Sequence, residues 1–319
     1  MKIKQFIWPC IGILAMLISI RILYIKLSAI SFDSILERLS NLSMQHWLLA
    51  ILCSILAYAA LAGYDRIALQ HLGHKISWIF IAICSFTTYA LSHNIGASVF
   101  SGAVVRYRAY KMKGLNGTEV AILVGFCSFT FAIGTILLFG VVLILQPNII
   151  TLIHSELPEW LGTIIGVILL GFIVLYTFGS WLQLKPLHLG KKIKLSYPKL
   201  KIVIQQLLIS PLELLGAAGI IYAVLPHNTD VHFISVLGVF LASFSITLLS
   251  NAPAGGIGVL EAVFITGMPS VNPTDIVAAL IVFRMLYLIV PLIISLFVVA
   301  IFEARQYWKQ TSKATSKET

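Results

Sequence analysis

Long apolar runs follow one another along the whole chain, separated by short polar segments. Most runs have the roughly 20 residues that an α-helix needs to cross about 30 Å of hydrocarbon. They lie at about 5–27, 47–64, 77–93, 118–146, 161–183, 202–225, 233–250 and 276–302. The strict alternation of apolar and polar residues that is typical of outer-membrane strands does not occur. The pattern predicts an all-α polytopic membrane protein, a helical bundle over residues 1–304 with a basic tail at 305–319.

The positions of Lys and Arg predict how the runs cross the membrane, because these residues collect on the cytoplasmic side. If the amino terminus is cytoplasmic and every run crosses, the basic segment at 106–113 falls on the outer side. We therefore predict one re-entrant hairpin at about 77–106 and a second, of opposite orientation, at about 233–266. About six full transmembrane helices remain. Both termini are then expected in the cytoplasm, and the protein in a bacterial inner membrane.

The breaks in the two predicted hairpins resemble each other. The first reads Ser-His-Asn-Ile-Gly at 92–96, and the second reads Ser-Asn-Ala-Pro-Ala-Gly-Gly at 250–256. A weak inverted repeat carried by segments that Gly or Pro interrupts is typical of transporters with a site near the membrane midplane. Two independent helix–loop–helix turns explain the same residues, and this alternative stays open.

Composition agrees with a membrane protein and excludes several other classes. Hydrophobic residues make up 59% of the chain and charged residues 11%, with a mean hydropathy of +0.98. A soluble domain carries about 25% charged residues. The 22 Lys and Arg against 12 Asp and Glu give a net charge of +10, which positive-inside topology explains without a nucleic-acid partner. The four cysteines lie far apart in apolar runs, so neither a disulfide framework nor a metal site is predicted, and no cofactor is expected.

Glycines lie just before the second helix of each predicted hairpin. Gly96 in the first hairpin, and Gly255 and Gly256 in the second, leave backbone N–H groups open to an anion at a helix amino terminus. The side chains of Asn94 and Asn251 can donate further hydrogen bonds. Close helix packing and capping of half-helices explain the same residues without a ligand.

Ionisable residues at membrane depth are the next candidates, because each costs at least about 2.5–3.5 kcal/mol at the centre of a helix unless it is paired or hydrated. The sequence places Glu213, Glu261 and Arg284 there, and we expect Arg284 to pair with one of the two acids. A purely structural ion pair explains these residues as well as ligand contact does. Arg106 lies where the first hairpin leaves the bilayer, and its guanidinium suits a phosphate. Anchoring at the cytoplasmic face suffices for Arg108.

Motifs for known chemistry are absent from the sequence. There is no Walker A, GxSxG, HExxH or paired-carboxylate pattern, so we expect neither catalytic residues nor an enzyme. His71 and His74 are interpreted as part of a solvated loop. Asp65 lies at the expected cytoplasmic end of the second run, where a functional residue is one interpretation and an interface residue is the more common one.

Three segments resemble the lysylphosphatidylglycerol synthase transmembrane-region family. They are the segment from Ser92 to Arg108, the segment Pro-Ala-Gly-Gly-Ile-Gly-Val-Leu-Glu at 253–261, and Arg284 to Tyr287 with Pro291. The family includes the flippase half of the multiple peptide resistance factor and standalone YbhN-type inner-membrane proteins. The resemblance implies a helical bundle that moves or handles anionic or aminoacylated phospholipids. Full-length resistance factors add a soluble aminoacyl-transferase domain, and since this chain ends at Thr319 we do not expect lysine transfer from it.

Our hypothesis at this point is a lipid translocase whose partners are membrane phospholipids with anionic headgroups. A non-transporting partner or scaffold of a separate lipid-modifying enzyme is the alternative, and an intramembrane transferase is a third interpretation. The expected headgroup site has eight main residues and six supporting residues. The main residues are Asn94, Gly96, Arg106, Asn251, Gly255, Gly256, Glu261 and Arg284, and the supporting residues are Ser92, His93, Arg108, Glu213, Pro253 and Tyr287.

Overall fold

The computed structural model describes residues 32–95, 98–152, 156–183, 187–189, 193–195, 198–226, 231–250, 258–302 and 304. The helices of this part are α1 Phe32–Ser40, α2 Met44–His71, α3 Trp78–Ile95, α4 Ser98–Lys111, α5 Gly117–Leu145, α6 Glu159–Trp181, α7 Leu200–Val224, α8 Phe233–Ser250, α9 Val259–Gly267 and α10 Pro273–Arg284. A 3₁₀ turn at Pro147–Leu152 follows α5. Between α6 and α7, the strands β1 Leu187–Leu189 and β2 Ile193–Leu195 pair antiparallel. A π-helical turn at Met285–Ile289 continues α10, and this helix extends to Phe302.

Five helices of the described part are long and apolar enough to cross a membrane. They are α2, α5, α6, α7 and α10 with its extension to Phe302, and their most apolar windows have mean hydropathies of 1.9 to 2.9. The all-α polytopic fold predicted from the sequence is therefore confirmed. The run at 5–27, which is expected to be a sixth crossing, and the basic tail at 305–319 lie outside the described residues.

Helix α7 lies at the centre of the bundle. It packs against α2, α5, α6, α8 and α10, and 67% of its most apolar window is buried. The corresponding values are 22% for α6 and 17% for the long α10 helix, which expose many large apolar side chains. Such all-round apolar helices are typical of a lipid environment. Side chains on α7 are therefore the ones best shielded from lipid.

Two glycines allow the close approach of α7 to its neighbours. A Cβ atom built at Gly216 of α7 would lie 2.6 Å from the carbonyl oxygen of Cys53 in α2. A Cβ atom at Gly134 of α5 would lie 2.7 Å from the backbone of Ser210 in α7. Small residues at such contacts are how membrane helices bring their backbones together. They fix α7 between α2 and α5.

Local sequence signals explain where two of the long helices begin. At the start of α5, the side chain of Asn116 accepts from the Glu119 N–H at 2.9 Å, and the Glu119 carboxylate accepts from the Asn116 N–H at 2.8 Å. This reciprocal capping box satisfies two backbone donors at the helix end. At the start of α10, the side chain of Asn272 accepts from the Thr274 N–H, and Pro273 occupies the first helical position, where it lacks only a dispensable donor.

The helix pairs α3–α4 and α8–α9 lie where the two hairpins are predicted. The helices of each pair pack against each other. Their turns, at 96–97 and 251–257, lie outside the described residues, and so do the predicted site residues Gly96, Asn251, Pro253, Gly255 and Gly256. That these pairs re-enter the membrane, with opposite orientations, stays a prediction.

Two helices extend beyond their expected ends. Helix α2 continues past residue 64 to His71, because Ile67, Ala68 and Leu69 remain buried against the bundle. Helix α4 continues past residue 106 to Lys111 and ends near Gly114, whose φ of 93° suits a glycine. In both extensions, charged residues lie inside a helix, although the hydropathy pattern had placed these residues at the end of that helix.

The contact at Gly134 predicts a stability loss for a single added methyl group. Gly134→Ala would push a Cβ atom into the rigid backbone of α7, and we expect a loss of about 1–3 kcal/mol, as for other overpacked sites. Gly125→Ala on the same helix is the matched control, because nothing lies within 4 Å of its Cβ position. The measurement is the thermal unfolding midpoint of both variants purified in detergent. Equal midpoints for the two variants would show that α5 and α7 do not approach this closely.

Candidate functional site

A buried ion pair connects α2 and α4. Nη2 of Arg106 lies 2.6 Å from Oδ1 of Asp65, and Nε lies 3.3 Å from Oδ2. The hydroxyl of Tyr110 donates to Oδ2 at 2.9 Å, and the thiol of Cys127 lies 3.4 Å from Oδ1. Asp65 is 0% exposed and Arg106 is 4% exposed. A phosphate that binds Arg106 must therefore compete with a carboxylate that already has four donors around it.

A row of aromatic rings leads from this ion pair to α10. The guanidinium carbon of Arg106 lies 4.6 Å from the ring centre of Tyr89, a cation–π contact. The ring of Tyr89 lies 5.9 Å from that of His93, and His93 stacks on Tyr287 at 5.2 Å. The row thus links the first helix pair to the helix that carries Arg284.

A second ion pair connects α9 and α10. Nη2 and Nε of Arg284 lie 2.6 Å and 3.0 Å from Oε1 of Glu261. The other carboxylate oxygen, Oε2, accepts from the backbone N–H of Gly258 at 2.8 Å and so caps the start of α9. These side chains are 16% and 15% exposed, more than those of the Asp65–Arg106 pair. Of the two partners expected for Arg284, the structure confirms Glu261.

Glu213 on α7 lies between these groups and has no cationic partner among the described residues. The hydroxyl of Tyr287 donates to its Oε1 at 2.9 Å, and the hydroxyl of Tyr64 lies 3.0 Å from its Oε2. Tyr64 also lies 2.7 Å from the carbonyl oxygen of Ser210. Glu213 is 3% exposed. Tyr64 immediately precedes Asp65, and Tyr287 lies about one turn beyond Arg284, so Glu213 is in contact with neighbours of both ion pairs.

The π-helical turn of α10 supplies backbone acceptors to the same region. Pro291 has no N–H to donate to the carbonyl of Tyr287, and the N–H of Val290 bonds instead to Met285, five residues earlier. Side chains of α2 and α3 donate to the carbonyls of three successive residues. These bonds are Ser54 to Leu286 at 2.9 Å, Tyr58 to Tyr287 at 2.9 Å and Asn94 to Leu288 at 3.1 Å. The turn therefore connects the α10 helix to α2 and α3.

The remaining predicted site residues of the described part have different surroundings. Ser92 is buried, and Nδ1 of His93 is buried with no hydrogen-bond partner among the described residues. Asn94 donates its amide to Ala90 and Leu288, so that amide is already engaged. Arg108 is exposed on α4. The structure thus brings into one connected region the residues His93, Asn94, Arg106, Glu213, Glu261, Arg284 and Tyr287.

Sequence reasoning underestimated Asp65 and did not select the tyrosines of α2. Asp65 was interpreted as an interface residue because the apolar run ends at residue 64, although α2 continues for seven residues. The apolar residues Ile67, Ala68 and Leu69, which continue the run after Asp65 and Arg66, are a signal that could have found it. Tyr58 and Tyr64 carry no signal of their own, because a tyrosine inside an apolar run looks like ordinary core.

Chemically, this region offers charged groups that can exchange partners. Each arginine presents a fork that fits a phosphate as well as it fits a carboxylate. Each acid can accept an ammonium group once its arginine is engaged elsewhere. Among the described residues there is no group of three His, Cys, Asp or Glu that could hold a metal ion. Fold and site together define an all-α polytopic membrane protein in which two ion pairs each join a short helix to a long one.

The chain belongs to the family described as the lysylphosphatidylglycerol synthase TM region, whose sequence profile matches residues 12–295. The resemblance seen in the sequence is thereby confirmed.

Three relatives illustrate the range of this similarity. The uncharacterized protein slr0712 of Synechocystis is 24% identical over 327 aligned residues, covering 100% of this chain and 98% of the relative. The inner membrane protein YbhN of Escherichia coli is 31% identical over 256 residues, covering 79% and 78%. A phosphatidylglycerol lysyltransferase of Staphylococcus haemolyticus is 24% identical over 318 residues, covering 98% of this chain and 36% of the enzyme.

The Asp65–Arg106 pair predicts non-additive effects of mutation. Asp65→Asn leaves a buried guanidinium unpaired and Arg106→Met leaves a buried carboxylate unpaired, so we expect each change to cost about 3–5 kcal/mol. The double variant leaves neither charge, and we expect it to lose clearly less stability than the sum of the two single changes. The unfolding midpoints of the four proteins in detergent measure this coupling.

Arg108→Met serves as the control for that cycle, because it removes an exposed arginine from the same helix. We expect a small effect, as for most surface substitutions. Additive losses for Asp65→Asn and Arg106→Met would contradict the ion pair.

Proposed function

We propose that this protein moves phospholipids with anionic or aminoacylated headgroups between the two leaflets of a membrane. The observation that carries the proposal is that each short helix pair forms one ion pair with a long helix, and that the two ion pairs have opposite polarity. The first helix pair contributes the base Arg106 and the second contributes the acid Glu261, and each meets its counter-charge on a long helix. Family membership supports a lipid-related role, and one relative is named for a reaction on phosphatidylglycerol.

The physical problem in lipid translocation is the charged headgroup, because the acyl chains can stay in hydrocarbon throughout. Taking an isolated ion out of water without a partner is costly. Fixed dipoles and paired charges inside the bundle replace part of the lost hydration. The predicted half-helix ends at Gly96 and at Gly255–Gly256 would add backbone N–H donors along the same path.

Exchange of ion-pair partners explains the preference for these headgroups. A phosphate can take the place of Glu261 on Arg284, and a lipid ammonium group can then bind the released carboxylate. The Glu261–Arg284 pair is the more accessible of the two, so it is the first candidate for headgroup contact. The more deeply buried Asp65–Arg106 pair is the second candidate for headgroup contact. It lies on the side that the predicted topology assigns to the cytoplasm.

The direct test is leaflet exchange of labelled phosphatidylglycerol, cardiolipin and phosphatidylethanolamine in proteoliposomes. We expect exchange above that of empty liposomes, with a preference for the anionic lipids. Glu261→Gln and Arg284→Ala should each slow it at least about tenfold, which corresponds to about 1.4 kcal/mol of lost transition-state stabilisation.

Arg38→Ala is the matched control, because Arg38 of α1 forms an ion pair with Asp275 of α10 that lies outside the connected region, with Nε 2.6 Å from Oδ1. We expect this variant to keep the wild-type rate. Each variant is compared at equal folded amount, judged by elution from a sizing column. No exchange by well-folded wild-type protein, for any headgroup, would refute translocation and favour the non-transporting membrane partner.

A further inference from the structure

The hydrogen bonds around Glu213 indicate its protonation state. The hydroxyl of Tyr64 carries a single hydrogen, and two acceptors lie near it: the Ser210 carbonyl oxygen at 2.7 Å and Glu213 Oε2 at 3.0 Å. The shorter bond goes to Ser210. If Glu213 were ionised, its Oε2 would then face the lone pairs of the Tyr64 oxygen with no hydrogen between them. A proton on Oε2 resolves this conflict, because it donates to Tyr64 while Tyr64 donates to Ser210.

The surroundings of Glu213 contain no cation that would hold it as a carboxylate. The titratable groups of the described residues that face it are four tyrosines: Tyr58 and Tyr64 from α2, Tyr89 from α3 and Tyr287 from α10. Helix α8 has no titratable residue, α5 contributes Cys127 beside Asp65, and α6 contributes Tyr176, which donates to Gln206. A buried charge without a partner is strongly disfavoured.

The arginines nearest to this region are already paired. Arg106 binds Asp65, and Arg284, one turn before Tyr287, binds Glu261. Neither guanidinium makes a hydrogen bond to Glu213 in the described part of the chain. Among the residues that the structure describes, the carboxyl group therefore has no cation to balance a negative charge, and Tyr287 donates to its other oxygen.

Both hydrogen-bond partners of Glu213 are attached to the rest of the site. Tyr64 adjoins Asp65, which holds α4 through Arg106. The carbonyl of Tyr287 lies in the π-helical turn and accepts from Tyr58, and Asn94 of α3 donates to the next carbonyl. Loss of the proton from Oε2 would release the Tyr64 hydroxyl from Ser210 and turn it towards the carboxylate. The protonation of Glu213 is thus linked by direct bonds to the residues that hold the first helix pair.

We propose that Glu213 is a proton-binding site, and that it must bind a proton before an anionic headgroup passes between the two helix pairs. An ionised Glu213 would repel a phosphate entering near Arg284 or Arg106, whereas the neutral acid would not. The proton enters from water and forms the O–H bond on Oε2; on release that bond breaks and the proton returns to water. This inference rests on the proposed translocation and adds a protonation requirement to it.

Infrared spectroscopy tests the proton site without any transport assay. In wild-type protein with ¹³C-labelled glutamate, we expect a protonated-carboxyl band that is absent from Glu213→Gln and present in Glu37→Gln, a change at an exposed residue of α1. A spectrum without this band, or a band that persists in Glu213→Gln, would overturn the proton site.

Proteoliposomes test the link to transport. Exchange of phosphatidylglycerol by the wild type should slow as pH rises, because Glu213 loses its proton. Glu213→Gln keeps a neutral side chain at every pH, so we expect its exchange to lose the pH response and to exceed the wild-type rate in alkaline buffer. Glu37→Gln should keep the wild-type pH response.

The outcomes separate the two proposals. An unchanged pH response in Glu213→Gln would overturn the role of the proton in transport. If no protein gives exchange, the proposed translocation fails, and the infrared band alone then decides whether Glu213 binds a proton.

Discussion

Asp65 and Arg106 hold α2 and α4 together where neither residue is more than 4% exposed. In hydrocarbon such groups are tolerated only with a partner, so the position of each charge restricts the position of a second helix. The same requirement places α9 against α10 through Glu261 and Arg284. Each short helix pair is thus joined to a long helix by one charge pair, in addition to its packing against other helices. Removing one member of a pair leaves the other charge without its partner, which is destabilising.

In the described part of the chain, the centre of the bundle is held by close helix packing and not by charge pairs. Helix α7 is held by glycine contacts to α2 and α5, where backbones touch and little adjustment is possible. Glu213 therefore lies on a closely packed helix, and the exchange of ion-pair partners that we propose would take place around it. The proposed headgroup path would combine this closely packed central helix with charge pairs that exchange partners, so that it could discriminate between headgroups and still release them.

The sequence predicted those parts that depend on hydropathy and on charge at depth. The long helices follow from run length, and the partnership of Arg284 with Glu261 was one of two expected pairings because both residues lie deep in apolar runs. Asp65 was underestimated because hydropathy ended its helix too early. The tyrosine hydroxyls around Glu213 could not be predicted, since their role depends on which helices meet at α7. The π-helical turn could not be predicted either, because a proline such as Pro291 is compatible with a kink as well as with an inserted residue.

That inserted residue determines which side of α10 faces lipid. In an α-helix successive residues are about 100° apart, so positions spaced by four drift steadily around the axis. Along α10 the buried positions Phe283, Tyr287, Pro291 and Ser295 recur every four residues, and the wider π turn keeps them on one strip. Ile293 and Phe297 stay on the outer surface. A deletion of one residue within the turn would rotate everything after it by about 100°, turning the buried strip partly away from the bundle over the rest of the helix.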